Sequence, residues 1–254
     1  MLKTLDDSLK VIRMFTRSRP EWGGRELAQE MKMDHAKIYR ILETFESNSF
    51  IRKDPVTKKY SLGLASWELG MNMYNSLNLK QIIHPVLEEL FKQTGESVFL
   101  TLLDKDQAVT FEAIEPDNKV KFSVSVGSRA PLYVGASYRS ILAFMPDDFI
   151  ENYLNTYELK QYTEKTKTNS DELREELQVI RENGWAMSEG EFTPDIIAIA
   201  VPLFQQDRII GSLTVSGPNY RMSQKKINES IPILKKARDE LADMIEKYQL
   251  KIRL

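Results

Sequence analysis

The apolar positions of the first 63 residues recur at helical spacing and then alternate, which predicts helices followed by a hairpin. The first helix is predicted over residues 4–16, with an apolar side formed by Leu5, Leu9, Ile12 and Phe15. A second helix is predicted over residues 24–31. A third helix follows a three-residue turn and has Asp34 as its N-cap, and its apolar face consists of Ile38, Ile41, Leu42 and Phe45. After Phe50, alternation on both sides of Asp54 and Pro55 predicts a two-stranded hairpin.

The polar side of the third helix and the basic hairpin have the composition of a DNA-reading surface. Arg and Lys can donate to guanine or phosphate, while Tyr, Thr and His add further hydrogen bonds. The candidate DNA contacts are His35, Ala36, Lys37, Tyr39, Arg40 and Thr44 on the helix and Arg52, Lys53, Lys58 and Lys59 on the hairpin. The hairpin alone could be a solvated surface, but together with the helix pair it favours binding of double-stranded DNA. We therefore predict a winged helix-turn-helix DNA-binding domain over residues 1–63.

The net charge of −2 conceals an uneven distribution along the chain. Residues 1–62 contain 13 Lys and Arg against 9 Asp and Glu, whereas residues 63–254 contain 22 against 28. The positive excess therefore coincides with the predicted DNA-binding domain, as expected for a basic domain on an acidic body.

Composition excludes several other classes of function. The chain has no cysteine and only two histidines, so thiolate chemistry, disulfides and ordinary zinc or histidine metal clusters are not expected, and no cofactor is predicted. No apolar run approaches the ~18 residues of a membrane span, and the N-terminus lacks the apolar core of a signal peptide. We expect a cytoplasmic protein without a membrane partner.

Residues 64–79 predict a linker helix that is apolar on more than one side, with Leu64, Trp67, Leu69, Met71 and Tyr74 spread around it. Such a helix either contacts a partner subunit or is merely buried between two domains, and the pattern does not separate these alternatives.

Residues 80–254 alternate between the two periods and predict an α+β domain with an antiparallel sheet of about six strands. The strands are predicted over residues 97–104, 107–114, 119–126, 185–189, 196–204 and 209–216. Helices are predicted over residues 81–94, 138–145, 170–183 and 223–248.

Two loops rich in small residues, 134–140 and 188–193, are candidate ligand sites in this domain. The first precedes a helix whose N-terminal N–H groups could bind an anion, but for this loop alone an ordinary N-cap is the favoured interpretation. The common nucleophile, phosphate-binding, dinucleotide and metalloprotease motifs are missing from the sequence, and an enzyme is therefore not expected.

The sequence resembles the IclR-type transcriptional regulators from about Leu5 to Leu241. The N-terminal resemblance rests on LDDSLKVI at 5–12, RELA at 25–28, YRILETF at 39–45 and YSLG at 60–63. The C-terminal resemblance rests on PVLEEL at 85–90, TGESV at 94–98, VGSRAPL at 126–132 and SGP at 216–218. It also includes a family signature formed by Gly184, Ser188, Glu191, Ala198, Ile199, Ala200, Leu203 and Phe204.

This resemblance implies a winged helix-turn-helix, a linker helix over 64–79 and a GAF-like effector-binding domain over 80–254, assembled as a homodimer or homotetramer on a palindromic operator. The effector-binding positions implied by the family are Phe122, Ala130, Ala136, Ser137, Ser188, Ile196, Ala198, Thr214 and Ser216.

The sequence departs from the family pattern at several of these places. Tyr138 and Arg139 replace a common Gly-Lys pair, Ser188 replaces Asp, Ala198 replaces Cys and Gln205 replaces Asp or Asn. Lys32 and Met33 replace Gly-Leu in the turn between the helices. These departures indicate a pocket chemistry unlike that of the glyoxylate and aromatic-acid regulators.

The sequence thus predicts a sequence-specific transcriptional regulator, favouring a repressor, controlled by a small organic acid or sugar-derived metabolite. The alternatives are an activator of the same family, or a ligand-binding module whose N-terminal domain contacts protein or RNA.

Overall fold

A computed structural model describes residues 1–16, 18–76, 79–117 and 120–248. The chain divides into two compact units, Met1–Ser76 and Leu77–Leu254. The predicted linker helix is observed as α4, Leu64–Ser76, within the first unit. Of its predicted last residues, 77 and 78 lie outside the described part, and Leu79 begins the next helix.

The first unit has the predicted helices and hairpin, with one additional short strand. Its other helices are α1 (Lys3–Ile12), α2 (Gly24–Glu30) and α3 (His35–Ser47). Its strands are β1 (Glu21–Trp22), β2 (Ile51–Lys53) and β3 (Tyr60–Leu62), arranged antiparallel in the order β1-β3-β2. The hairpin β2–β3 is the wing of a winged helix-turn-helix.

The core of this unit confirms the apolar face of α3 and corrects that of α1. Ile38, Ile41 and Leu42 are buried, as the helical spacing predicts. On α1, however, Leu5 is 54% exposed and Leu9 is 48% exposed, while Asp7 and Val11 face inward. Apolar spacing identifies an apolar side of a helix but does not say what covers it, so Leu5 and Leu9 share that side without entering the core.

The second unit is an α+β domain with six antiparallel strands, as predicted. The strands are β4 (Ser97–Asp104), β5 (Gln107–Ile114), β6 (Arg129–Pro131), β7 (Ala186–Glu189), β8 (Ile196–Gln205) and β9 (Arg208–Pro218). They lie in the order β6-β5-β4-β9-β8-β7. The helices are α5 (Leu79–Thr94), α6 (Ala136–Leu142), α7 (Asp147–Thr156), α8 (Ser170–Asn183) and α9 (Gln224–Lys247).

The two faces of this sheet have different chemistry because side chains alternate along each strand. On β9, Leu213 and Val215 enter an aliphatic core that includes residues of α5 and α9. The alternate residues Ser212, Thr214 and Ser216 point the other way, where Ser137 of α6 bonds to Ser212. The face toward α6 is therefore lined by small hydroxyl-bearing side chains.

The third predicted strand, residues 119–126, is wrong. Residues 120–126 form no strand, and β6 pairs with β5 instead; residue 119 lies outside the described residues. Val120 and Val126 are 57% and 62% exposed, so the alternation does not reflect a half-buried strand. Side chains satisfy the backbone here, since Ser97 Oγ donates to the Phe122 carbonyl at 2.6 Å and Glu115 accepts from Val124 N at 3.3 Å.

Along residues 1–16, 18–76, 79–117 and 120–248, no helix combines the length and the apolar character needed to cross a bilayer. Over the same ranges, His, Asp and Glu side chains form no group of three suited to hold a metal ion.

Candidate DNA-binding surface and ligand pocket

The predicted recognition helix is α3, and its N-terminus is capped as the sequence indicates. Asp34 Oδ1 accepts a hydrogen bond from the Lys37 backbone N–H at 3.2 Å. Since the opposite side of the helix is buried, the polar side is the one that solvent and ligands can reach. Nine of the ten predicted DNA contacts are exposed, including Tyr39 and Arg40 on α3.

Lys37 is the exception among these ten residues. Its side chain is 31% exposed, and its ammonium group forms an ion pair with Asp7 of α1. The structure therefore places this cation against another helix of the same unit.

The tip of the wing is ordered by a single carboxylate. Asp54 Oδ1 accepts from the Val56 and Thr57 backbone N–H groups at 2.8 and 2.6 Å. These hydrogen bonds, first among them that from Thr57, hold the pKa of Asp54 below its usual value. The exposed Lys58 and Lys59 are thereby presented on a turn of fixed shape, which suits contact with phosphates.

The start of α4 is fastened to the wing by close packing at Gly63. Gly63 N donates to the Phe50 carbonyl at 2.7 Å, and Ser66 Oγ donates to the same carbonyl at 2.8 Å. A Cβ at position 63 would lie 2.3 Å from the Ser49 carbonyl oxygen, so only glycine fits. The linker helix is thus a rigid continuation of the wing.

The second unit contains a pocket on the hydroxyl-lined face of the sheet. Its floor includes one row of aligned residues on three adjacent strands, Ser188, Ala198 and Ser216. The pocket is partly open to solvent and has a cavity volume of about 40 Å³.

The structure brings seven of the nine positions implied by the resemblance into this pocket: Phe122, Ala136, Ser137, Ser188, Ile196, Ala198 and Ser216. It does not bring in Ala130, which is buried in β6 opposite Ala108. Thr214 is fully buried beside the floor, and its hydroxyl has no hydrogen-bond partner among the described residues.

Seven further residues line the pocket. Five of them fall in the two loops predicted as candidate ligand sites, namely Gly135, Tyr138, Glu191, Phe192 and Thr193, whereas neither the sequence pattern nor the resemblance assigned Phe99 and Val124 to a ligand site. Phe99 is placed there by strand register, because it pairs with Thr214 on the same side of the sheet. Glu191 also belongs to the family signature.

Hydroxyl groups fix the start of α6 against the sheet. Ala136 N donates to Ser188 Oγ at 3.0 Å, and Ser137 Oγ bonds to the hydroxyls of Thr101 and Ser212, each at 2.9 Å. Since Ser188 Oγ accepts that bond, its own proton remains available to a ligand. The pocket therefore offers hydroxyl groups set among aromatic side chains.

One wall of the pocket is held by a buried arginine. Arg139 is fully buried and forms a two-point ion pair with Glu191, with a second pair to Glu176 at 2.9 Å. Burial alone would lower the pKa of Arg139, but the two carboxylates outweigh it and raise the pKa. Arg139 also donates to the Tyr133 and Met187 carbonyls at 3.4 and 3.2 Å, which ties α6 to β7.

Tyr138 lines the pocket with a neutral side chain. Burial raises the pKa of Tyr138 to about 12, so the phenol stays protonated at physiological pH. The large side chain occupies space at a position where the family often has glycine.

Comparison with known proteins is consistent across the whole chain. The model of the IclR helix-turn-helix domain matches residues 4–55, and the model of the bacterial transcriptional regulator IclR C-terminal domain matches residues 71–243. The chain is 30% identical to the HTH-type transcriptional regulator KipR of Bacillus subtilis, over 89% of this chain and 90% of KipR. It is 23% identical to the transcriptional repressor IclR of Escherichia coli, over 94% of this chain and 89% of the repressor.

Solved structures show the same architecture. An IclR-type regulator from Alicyclobacillus acidocaldarius superposes with a TM-score of 0.85 at 25% identity, covering 96% of this chain and 99% of that one. An IclR homologue from Microbacterium hydrocarbonoxydans, complexed with 4-hydroxybenzoate, superposes with a TM-score of 0.82 at 20% identity, covering 96% and 99%. The matched proteins are regulators rather than enzymes, as the missing catalytic motifs predict. The chain therefore belongs to the IclR family of DNA-binding bacterial transcriptional regulators.

Proposed function

We propose that this protein is a repressor that binds a palindromic operator as a homodimer or homotetramer in the cytoplasm. A small organic acid or sugar-derived metabolite binds in the pocket and controls its affinity for DNA. The observation that carries this proposal is that one chain combines an exposed basic recognition helix and wing with a hydroxyl-lined pocket in its other unit.

The direction of regulation and the ligand class rest on similarity together with the pocket. The E. coli relative is a repressor, which favours repression here. The Microbacterium homologue was crystallised with 4-hydroxybenzoate, which supports a small organic ligand in this fold. The Ser188 hydroxyl can donate to a carboxylate or hydroxyl oxygen, and Ser216 Oγ, which donates to the Ile197 carbonyl at 3.0 Å, can accept from a ligand hydroxyl.

Exposed apolar side chains in the first unit support self-association. Leu5 and Leu9 lie one helical turn apart on α1, and on α4 Leu64 and Trp67 are 64% and 62% exposed. Large exposed apolar side chains that lie close together on a helix indicate a surface that contacts another protein rather than solvent. A second copy of this chain is the partner we propose, because a palindrome requires two recognition helices.

The proposed mechanism transmits ligand binding through α4. Since α4 is fixed to the wing at Gly63, any displacement of this helix carries the recognition helix with it. Half-sites lie about one turn, ~34 Å, apart, so a modest change in the separation of two recognition helices breaks several phosphate contacts at once. Cross-linking two subunits at α4 should abolish the ligand response, and an unchanged response would refute this mechanism.

The proposal is tested by incubating the purified protein with fragmented genomic DNA at moderate salt and sequencing the retained fragments. The selection is repeated with a panel of small organic acids and sugars. We expect one palindrome to be enriched and one metabolite to abolish its enrichment. Retention without sequence preference would contradict the operator model and leave only general phosphate binding.

The reading surface is tested with the variants Arg40→Ala and Lys58→Ala. Arg40→Ala should weaken operator binding and blur sequence preference at one base pair, by about 1–3 kcal/mol. Lys58→Ala should weaken binding to all duplexes similarly and reduce the slope of log affinity against log salt by about one. Binding assays across a salt series measure both. If Arg40→Ala changed neither affinity nor preference, the assignment of α3 to the groove would be wrong.

A further inference from the structure

We propose that Lys37 is a positioning residue which holds the N-terminal turn of the recognition helix against α1 through Asp7, and is not a phosphate contact. This inference rests on the proposed operator binding and revises one of its ten predicted contacts. The Asp7–Lys37 pair would fix the angle at which α3 is presented to DNA.

The first observation is the burial of Asp7. Only 6% of this residue is exposed, and it is the only charged residue buried in the first unit among the residues that the structure describes. A buried carboxylate is costly unless it is paired and hydrogen-bonded. Asp7 therefore requires a cation, and α3 supplies it.

The second observation is that nearby lysines do not replace Lys37 in this role. Lys10, one turn further along α1, pairs instead with Asp6 at 2.7 Å, on the exposed part of the helix. Within the described residues, the hydrogen bond that the Asp7 carboxylate accepts comes from Lys37. The pair thus joins α1 to α3, whereas the Asp6–Lys10 pair lies within a single helix.

The third observation is the position of Lys37 on α3. It is the third residue of the helix, in the turn capped by Asp34. The N-terminal residues of a recognition helix are those that meet base edges, so a tilt at this end displaces the reading atoms directly. A tether here controls sequence preference without touching DNA.

The two roles of Lys37 predict opposite effects of Asp7→Asn. If Lys37 were a phosphate contact restrained by Asp7, removing the carboxylate would release the ammonium group. Binding to DNA would then tighten, and the slope of log affinity against log salt would steepen by about one. If the pair positions α3, the same change loosens the helix and weakens binding. Asp6→Asn is the matched control, because it removes the same charge from the neighbouring residue without touching the pair.

The experiment measures affinity for the enriched palindrome, and for a random duplex of about 30 base pairs, across a salt series. Relative to Asp6→Asn, we expect Asp7→Asn to bind the palindrome about tenfold more weakly, a loss of about 1.4 kcal/mol. The ratio of palindrome to random-duplex affinity should fall as well. Tighter binding with a steeper salt slope would overturn the proposal.

Variants at position 37 supply the second arm. Lys37→Met should weaken palindrome binding at least as much as Asp7→Asn, because it leaves the buried carboxylate without its cation, and the salt slope should not change. Lys37→Arg should restore binding. The double variant Asp7→Asn with Lys37→Met should be no weaker than either single variant, because the two residues act as one unit. If Lys37→Met alone reduced the slope of log affinity against log salt by about one, Lys37 would be a phosphate contact and the proposal would be refuted.

Amide hydrogen exchange without DNA separates this proposal from operator binding itself. We expect residues 35–40 to exchange faster in Asp7→Asn than in Asp6→Asn, and equal rates would overturn the proposal. If the wild-type chain bound neither duplex, the proposed function would fail while the exchange rates still decided whether the pair holds α3.

Discussion

At the scale of single residues, ion pairs that are buried matter more than the many on the surface. Arg139 is fully enclosed and satisfies the carboxylates of Glu191 and Glu176, while it also binds two backbone carbonyls. Arg174, by contrast, pairs with Glu151 at the surface. Removing one member of a buried ion pair leaves the other charge buried without a partner, whereas a surface ion pair contributes little to stability.

The variant Arg139→Met tests this contrast. It keeps an apolar side chain of similar length but leaves the buried Glu191 carboxylate without its cation, while Glu176 keeps its pair with Lys167. We expect a loss of about 3–5 kcal/mol in the free energy of unfolding. The control Arg174→Met should cost less than about 1 kcal/mol. Urea unfolding followed by circular dichroism measures both, and equal losses would contradict the structural role of Arg139.

Glu96 is expected to make the stability of the second unit depend on pH in the acidic range. This residue is 1% exposed and accepts hydrogen bonds from Arg221 and Lys226, each at 2.8 Å. Burial raises its pKa, but the two cations outweigh burial and hold the pKa below the usual 4.5. A carboxylate with a lowered pKa stabilises the fold fully above its unfolded pKa, and this contribution is lost as pH falls through the folded value.

We therefore expect the free energy of unfolding to fall as the pH drops below 4.5, and the fall to be shallower in Glu96→Gln. Urea midpoints measured from neutral pH to about pH 3 provide the comparison. If the free energies of unfolding of the wild-type protein and Glu96→Gln fell in parallel with pH, Glu96 would not be responsible for the loss of stability in acid.

The pocket shows how many of its lining residues could be predicted from the sequence. Ser188, Ala198 and Ser216 were placed by family resemblance, and the strand pairing aligns them in one row. Phe99 was missed because its place in the lining depends on strand register and on which sheet face α6 covers. Neither property is visible in the local spacing of apolar residues.

At the scale of elements, the junction between the wing and α4 is the decisive feature of the first unit. Gly63 sits where a Cβ would meet the Ser49 carbonyl at 2.3 Å, and Ala65 N donates to that same carbonyl at 3.0 Å. The helix cannot rotate about this point without breaking these contacts. The linker therefore begins as part of the DNA-binding unit.

A pair of glycine variants tests the junction. Gly63→Ala should destabilise the first unit by about 1–3 kcal/mol because the backbone must move to admit the methyl group. Gly70→Ala, within α4 and with no atom within 4 Å of its added Cβ, should instead stabilise the helix by about 0.5–1 kcal/mol. Urea unfolding distinguishes the two, and an equal or opposite ranking would show that Gly63 tolerates a side chain.

The elements also show where sequence patterns stop being informative. The strands over 97–104 and 107–114 were predicted with their observed bounds: the first is buried on both faces over most of its length, and the second alternates between buried and half-buried residues. Residues 120–126 alternate as regularly, yet Val120 and Val126 face solvent and β6 takes the place beside β5. The spacing of apolar residues indicates that a segment is extended, but it does not show which strand the segment pairs with. Here β6, and not residues 120–126, pairs with β5.

At the scale of the whole molecule, a positive excess in residues 1–62 accompanies an acidic remainder. Binding to DNA is therefore expected to weaken steeply with salt, while ligand binding in the second unit is not. Dependence on both salt and ligand is the behaviour expected of a regulator in which one unit reads DNA and the other senses a metabolite.

The central claim is that the pocket and the DNA-binding surface are energetically coupled. Coupling is reciprocal, so an effector that weakens operator binding by a given factor must itself bind more weakly to the operator complex by the same factor. The most direct measurement is a calorimetric titration of the identified effector into the free protein and into the protein–operator complex. We predict an affinity difference of about 5- to 150-fold that equals the effector's effect on operator affinity. Equal affinity for the free and DNA-bound protein would contradict the account.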